Sequence, residues 1–245
     1  MKEFRFFKEE YLLEGVYDPG IFKAYFLAGG PGSGKSFVTK SAFAGTGLKL
    51  VDSDEVLTRY LEKEGLSLKM PESEKEKRDE LRLKAKITTQ NRLDLYIQGR
   101  LGCIMDGTAR DYAKISRQQR LFKFLGYQTI MVFVNTSKEV ALERNEKRDR
   151  TVPRKTAIQN WNIVQQNMGR YQKLFQPANF YVIDNNSSEK ELVTTTLNRC
   201  ASIVRRTMNQ PHNFIAKQWI DRQLRIKKGD INPFFKKRTW NFTDN

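Results

Sequence analysis

The sequence predicts an α/β fold: a parallel sheet of about five strands flanked by helices, with a helical insertion after strand two and a basic C-terminal extension. Two observations carry this. Short apolar runs at 24–28, 48–51, 101–105, 128–134 and 180–183 alternate with helical or charged stretches, the pattern of βαβ units. A glycine-rich segment, Gly29-Gly30-Pro31-Gly32-Ser33-Gly34-Lys35-Ser36, stands between the first run and a helical stretch that reaches about Phe43.

The elements follow in order. Residues 1–20 form an amphipathic lead-in closed by the turn signal Asp18-Pro19-Gly20. Its first residues are too charged for a secretory signal. A main domain then spans 21–206. Ala24–Ala28 reads as a buried strand. Leu48–Val51 reads as a second, delivering Asp52 and Asp54; Leu101–Met105 reads as a third, ending at Asp106. Gln128–Val134 is rich in β-branched and aromatic residues, and Phe180–Ile183 ends at Asp184-Asn185-Asn186. The insertion, 57–100, holds the charged run PESEKEKRDELRLKAK. There Glu74 with Arg78, and Glu80 with Lys84, have helical i,i+4 spacing, so an exposed helix is expected. Its position beside the second strand also suits a cap on the acceptor side. Polar residues that end the strands (Gly29, Asp54, Asp106, Thr136) are expected along one sheet edge, where such folds bind ligands.

Composition narrows the classes. Lys and Arg total 44 against 28 Asp and Glu in 245 residues, a net charge of +16, which favours polyanionic partners. Two cysteines, with Cys103 in an apolar run, argue against a disulfide framework and fit a cytoplasmic protein. No apolar run is long enough for a membrane span, so no membrane partner is expected. One histidine, His212, leaves histidine-centred catalysis or a zinc site without material.

The glycine-rich segment matches G-x-x-x-x-G-K-[ST] throughout. Glycines let several backbone N–H groups converge on phosphate oxygens, and the following helix aims its positive end at the same anions. Gly30, Pro31, Gly32, Ser33, Gly34, Lys35, Ser36 and Phe37 are therefore the candidate ATP-binding residues. Lys35 would reach the β- and γ-phosphates, and the Ser36 hydroxyl would hold Mg2+. Asp106 is followed by Gly107 rather than the glutamate that activates water in many hydrolases, and no NKxD motif is present. Both features favour transfer to a hydroxyl. Asp52 and Asp54, two apart at a strand end, would face the same side, and Asp54 is the candidate general base. Thr136 and Glu139 have capping-box spacing at a helix start. Arg144 and Arg148, four apart on that helix, are candidates for cations around the transferring phosphoryl group; a solvated, salt-bridged face is the alternative.

In the order GGPGSGKS, VDSDE, IMDGT and FVNTSKEVALERNEKRDRTVP, the chain resembles the P-loop kinases that include phage polynucleotide kinase and the zeta toxins. The resemblance covers about 24–154 and weakens towards 186. It implies a P-loop NTPase core and an ATP-dependent phosphotransferase with an alcohol acceptor. Asp54 would be the general base and Arg144 and Arg148 the lid arginines. Asp106, with Thr108 and Arg110 nearby, would organise the acceptor. Leu57 stands where the polynucleotide kinase pattern has an arginine. A likeness to kinase-like proteins of large tailed phages makes a 5′-hydroxyl or a hydroxymethylated base of DNA the favoured acceptor. A zeta-toxin-like kinase of a nucleotide sugar or other small metabolite is the alternative; a non-catalytic nucleotide-gated DNA-binding module is another.

The extension, 207–245, interleaves cations with Phe214, Trp219, Phe234, Phe235 and Trp240, a composition suited to single strands. For 211–224 the expected role is a helix that docks Phe214, Ile215 and Trp219 on the core.

Overall fold

The computed structural model describes residues 15–69, 71–148 and 151–231. Its sheet has five parallel strands in the order β2-β3-β1-β4-β5, as the alternation predicts. They are β1 (Lys23–Ala28), β2 (Lys49–Val51), β3 (Cys103–Met105), β4 (Gln128–Asn135) and β5 (Phe180–Asp184). Side chains of β1 and β4 alternate between two cores. Ala24, Phe26, Met131 and Phe133 face one, and Tyr25, Leu27, Ile130 and Val132 face the other. Continuous apolar strands are what a sheet covered on both faces requires.

Helix α1 (Lys35–Ala42) covers the second core with Val38 and Ala42. The first core receives α4 (Tyr112–Phe124) through Phe122 and α6 (Arg154–Phe175) through Val164, Tyr171 and Phe175. Helix α7 (Lys190–Met208) returns to the second core with Cys200, Ile203 and Val204. Cys103 and Cys200 are both buried and free.

The stretch after β2 forms α2 (Ser53–Lys63) and α3 (Lys75–Gly99), with a small core of their own from Val56, Leu57, Leu61, Leu81 and Ala85. The 25 residues of α3 contain no proline and no glycine before Gly99, and Arg100 ends the helix in a left-handed conformation, φ 58°. Within the charged run the partners are mostly tertiary. Glu74 accepts from the Ser67 N–H at 2.9 Å, Arg78 donates to the Pro71 carbonyl, and Lys84 sits over the Tyr60 ring.

After α7, helix α8 (Phe214–Lys227) docks by Ala216 and by Trp219, whose ring meets Phe22 edge-on at 5.5 Å. The expected docking of Phe214 does not occur. It opens the helix, one residue after the Asn213 cap, and is 72% exposed. Phe234, Phe235 and Trp240 lie outside the described residues.

Candidate active site

The carboxyl ends of all five strands supply the site. After β1 the chain turns through Gly29–Gly34 into α1. Gly34 caps that helix at φ 86°, and Gly32 has φ 78°, conformations that cost an L side chain about 1–2 kcal/mol. Space is closed as well. A Cβ on Gly32 would lie 1.9 Å from the Ala141 carbonyl oxygen of α5 (Lys138–Glu146). Gly30 lies against Trp161 of α6, whose Nε1 donates to the Thr136 carbonyl at 3.1 Å. Pro31 and Ser33 are buried within the loop, whereas Ser36 and Phe37 are exposed at the start of α1.

Lys35 donates to the Gly29 carbonyl at 2.7 Å, folded against the loop it follows. Burial depresses its pKa, Asp106 raises it, Arg148 depresses it further, and Asp54 and Asp52 oppose both. One ammonium therefore feels three carboxylates and a guanidinium, which places these residues around a common space.

The route that delivers the carboxylates differs from the strand alternation expected. β2 stops at Val51. Asp52 is the N-cap of α2, its Oδ1 accepting from the Asp54 N–H at 2.8 Å, and Asp54 lies in the first helical turn. A capping aspartate outcompetes further extension because it satisfies a helix-end N–H. Burial and the neighbouring Asp106 push the Asp52 carboxyl up to about 6. Asp106 follows β3, its N–H bonded to the Val51 carbonyl at 3.0 Å, and burial raises its carboxyl as well, with Lys35 opposing.

Beyond Asp106, Thr108 and Arg110 lie in a loop that α6 fastens. Tyr171 Oη donates to the Ala109 carbonyl at 2.7 Å, Asn167 Nδ2 to the Arg110 carbonyl at 3.0 Å, and the Arg110 guanidinium to Asn160 Oδ1 at 2.9 Å. Ala109 is held at φ 56° by these bonds.

The two arginines of α5 are used differently. Arg148 is exposed and acts electrostatically on Lys35 and Asp106. Arg144 turns to the loop after β5, donating to the carbonyls of Asn185 at 2.5 Å and Ser187 at 2.9 Å. The helix cap also differs from expectation. Ser137 caps α5 by accepting from the Val140 N–H, while Thr136, one residue earlier, ends β4 with its hydroxyl buried and unpartnered.

Residues beyond the sequence candidates complete the site. Asn185 Nδ2 donates to the Ser33 carbonyl at 2.8 Å, joining the β5 end to the glycine-rich loop. Asn145 is buried and pairs through both amide atoms with the backbone of Val152, closing the turn after α5. Their only sequence signal was position: Asn185 in the polar triplet at a strand end, Asn145 between the two arginines.

Magnesium is a group that such a loop implies, and the donors present fit it. The Ser36 hydroxyl stands at the start of α1, and oxygen-only carboxylates lie opposite, the hard ligands this cation selects. Among the described residues no group of three His, Cys, Asp or Glu could hold a metal ion. That is compatible with a cation usually bound through one or two protein groups plus phosphates and water. No helix among the described residues is long and apolar enough to cross a membrane.

Similar solved structures share the fold. A Chloroflexus aurantiacus protein, provisionally described as a kinase, is 16% identical with a TM-score of 0.53, over 76% of this chain and 98% of its own. A chain of the AvrRxo1-ORF1:-ORF2 structure with ATP is 12% identical with a TM-score of 0.52; the match covers 76% of this chain and 64% of that one. No curated protein matches. The AAA domain family matches residues 25–177, from β1 through α6 and so through the glycine-rich loop, Lys35, the three carboxylates and both arginines, and the chain belongs to that family.

Proposed function

We propose that this protein is an ATP-dependent kinase that transfers the γ-phosphoryl group to a hydroxyl, with a nucleic acid or nucleotide, DNA foremost, as acceptor. The observation that carries the reading is the meeting of Lys35 with Asp52, Asp54, Asp106 and Arg148 beside a glycine-rich loop. Phosphoryl transfer needs little covalent help from a protein. It needs the phosphates held, the acceptor oxygen aimed and the developing charge balanced.

Backbone N–H groups of Gly30–Ser36 and the start of α1 would hold the phosphates, and Lys35 would leave the Gly29 carbonyl to join them. Ser36 would hold magnesium with a carboxylate opposite, and the cation would neutralise charge on the β- and γ-oxygens. Asp54, exposed in the first turn of α2, is the residue we assign to orient the acceptor hydroxyl and take its proton. Asp52 fixes that turn through its cap, and Asp106, with Thr108 and Arg110, lines the acceptor side. Arg148 balances charge at the transferring group, and Arg144 holds the β5 loop that braces the phosphate loop.

The test offers ATP labelled in its γ-phosphate to single-stranded DNA, duplex DNA, RNA and a panel of nucleosides and nucleotide sugars. Label on an oligonucleotide hydroxyl, lost with Asp54→Asn, supports the proposal. Label only on a small metabolite would reassign the acceptor. Binding of ATP without transfer to any of them would remove the kinase reading.

A further inference from the structure

Charge on this molecule is segregated by element. Helix α4 has 13 residues, among them Lys114, Arg117, Arg120 and Lys123, and no acid. Helix α6 has 22 residues, including Arg154, Lys155, Arg170 and Lys173, and again no acid. The acids gather instead on the α2–α3 pair, where Glu72, Glu76, Asp79 and Glu80 fall within nine residues. Ordinary soluble surfaces intersperse the two signs, so two neighbouring helices without a carboxylate form a coherent positive field.

The two helices are adjacent and continuous with the candidate site. The Arg170 guanidinium lies 3.7 Å from the Tyr112 ring centroid, and Gln119 Nε2 donates to the Leu174 carbonyl. Arg110, in the loop that follows Asp106, bonds Asn160 across the top of the pair. On α4, Arg117, Leu121 and Phe124 share one outward face at i, i+4 and i+7, with Arg120 beside them. Leu121 is 48% exposed and Phe124 71% exposed. On α6 the matching face presents Lys155, Asn162, Gln166 and Lys173, all exposed. Cations, amides and an outward aromatic are the groups that take phosphates, base edges and base faces.

We infer that the α4–α6 face binds single-stranded nucleic acid and leads its end to the loop after β3. The destination of the end rests on the kinase reading; the binding itself does not. An anionic membrane would also meet the cations, but a row of exposed amides on α6 suits base edges better than lipid tails. The face spans about 20 Å along α4, from its 13 residues at about 1.5 Å each, enough for several nucleotides.

Fluorescence anisotropy of a labelled oligothymidylate, with the full chain and no ATP, tests this across a salt series. The wild type should bind with a log–log salt slope, and Arg117→Ala/Arg120→Ala/Lys173→Ala should lower that slope by about 2, from about 0.7 per phosphate contact. Phe124→Ala should weaken binding about tenfold with little change in slope, because stacking releases no counterions. Thermal melts confirm that each variant is folded. Unchanged affinity and slope in the triple variant, tighter binding to duplex of the same length, or binding to phosphatidylserine vesicles without binding to the oligonucleotide would each overturn the inference. Lys35→Ala separates the two readings: it should abolish transfer yet bind the oligonucleotide as wild type does.

Discussion

Replacing Gly34 by alanine should expose how the phosphate loop is held. The new Cβ enters at φ 86°, at a cost of about 1–2 kcal/mol. It would also lie 2.3 Å from Asn185 Nδ2, so the amide must swing away and abandon its 2.8 Å bond to the Ser33 carbonyl. Losing a buried bond of this kind costs about 1–3 kcal/mol. Gly34→Ala should therefore destabilise by about 2–5 kcal/mol, and Asn185→Ala alone by about 1–3 kcal/mol. The double variant can lose the shared bond only once. Its cost should stay near that of Gly34→Ala, leaving a coupling of about 1–3 kcal/mol. Urea unfolding of the four proteins, compared at their midpoints, measures it. Single costs that add to within about 0.5 kcal/mol would refute the idea that Gly34 is small because Asn185 occupies its space.

Four further outcomes are expected. Asp52→Asn keeps a cap-competent side chain but removes a carboxyl raised to about 6, so it should raise the melting temperature above pH 6 while lowering transfer. The penalty it removes is absent below the ordinary aspartate range, grows as pH rises from about 4 to 6 and is complete above 6, so stability gained only at acid pH would contradict this. Lys23, buried in β1 against Gln128 and the Gln210 carbonyl, has its pKa lowered to about 8 by burial. Wild-type stability should therefore climb between about pH 8 and 10.5, where only the unfolded chain keeps that proton, and Lys23→Met should flatten the climb in denaturation curves. Arg148→Ala should lower kcat at least a hundredfold with no change in melting temperature, whereas Arg144→Ala, which frees two carbonyls after β5, should lower the melting temperature first. Asn145→Ala should cost about 2–4 kcal/mol in urea, because one side chain closes two backbone bonds at Val152.

Much of the fold was legible because its strands are apolar throughout and end in polar turns. The runs at 24–28 and 128–134 lie within one residue of the observed β1 and β4 at each end. The glycine-rich segment was legible because each residue type answers a backbone demand, which Gly32 and Gly34 display. Less legible was how short β2 is. Asp52 reads equally well as the end of a strand or the start of a helix, and only the bond from Asp54 N–H decides between them. The cap at Ser137 rather than Thr136 has the same origin, two hydroxyl residues in succession with the choice made by where β4 releases the chain. Arg144 and Arg148 share a spacing, yet Arg144 is drawn to the β5 loop by carbonyls 41 residues or more away in sequence, which no local pattern encodes. Phe214 was expected inside because it is aromatic; at the first position of α8 it has no neighbouring turn to pack beneath.

Calorimetric titration of the full chain with magnesium and ATP, set beside Lys35→Ala, bears most directly on the site. Saturable heat at a one-to-one ratio in the wild type, weakened at least tenfold in the variant, is the expected result. Equal titration curves for the two proteins, or no heat from either, would contradict the assignment of residues 29–36 as a triphosphate cradle.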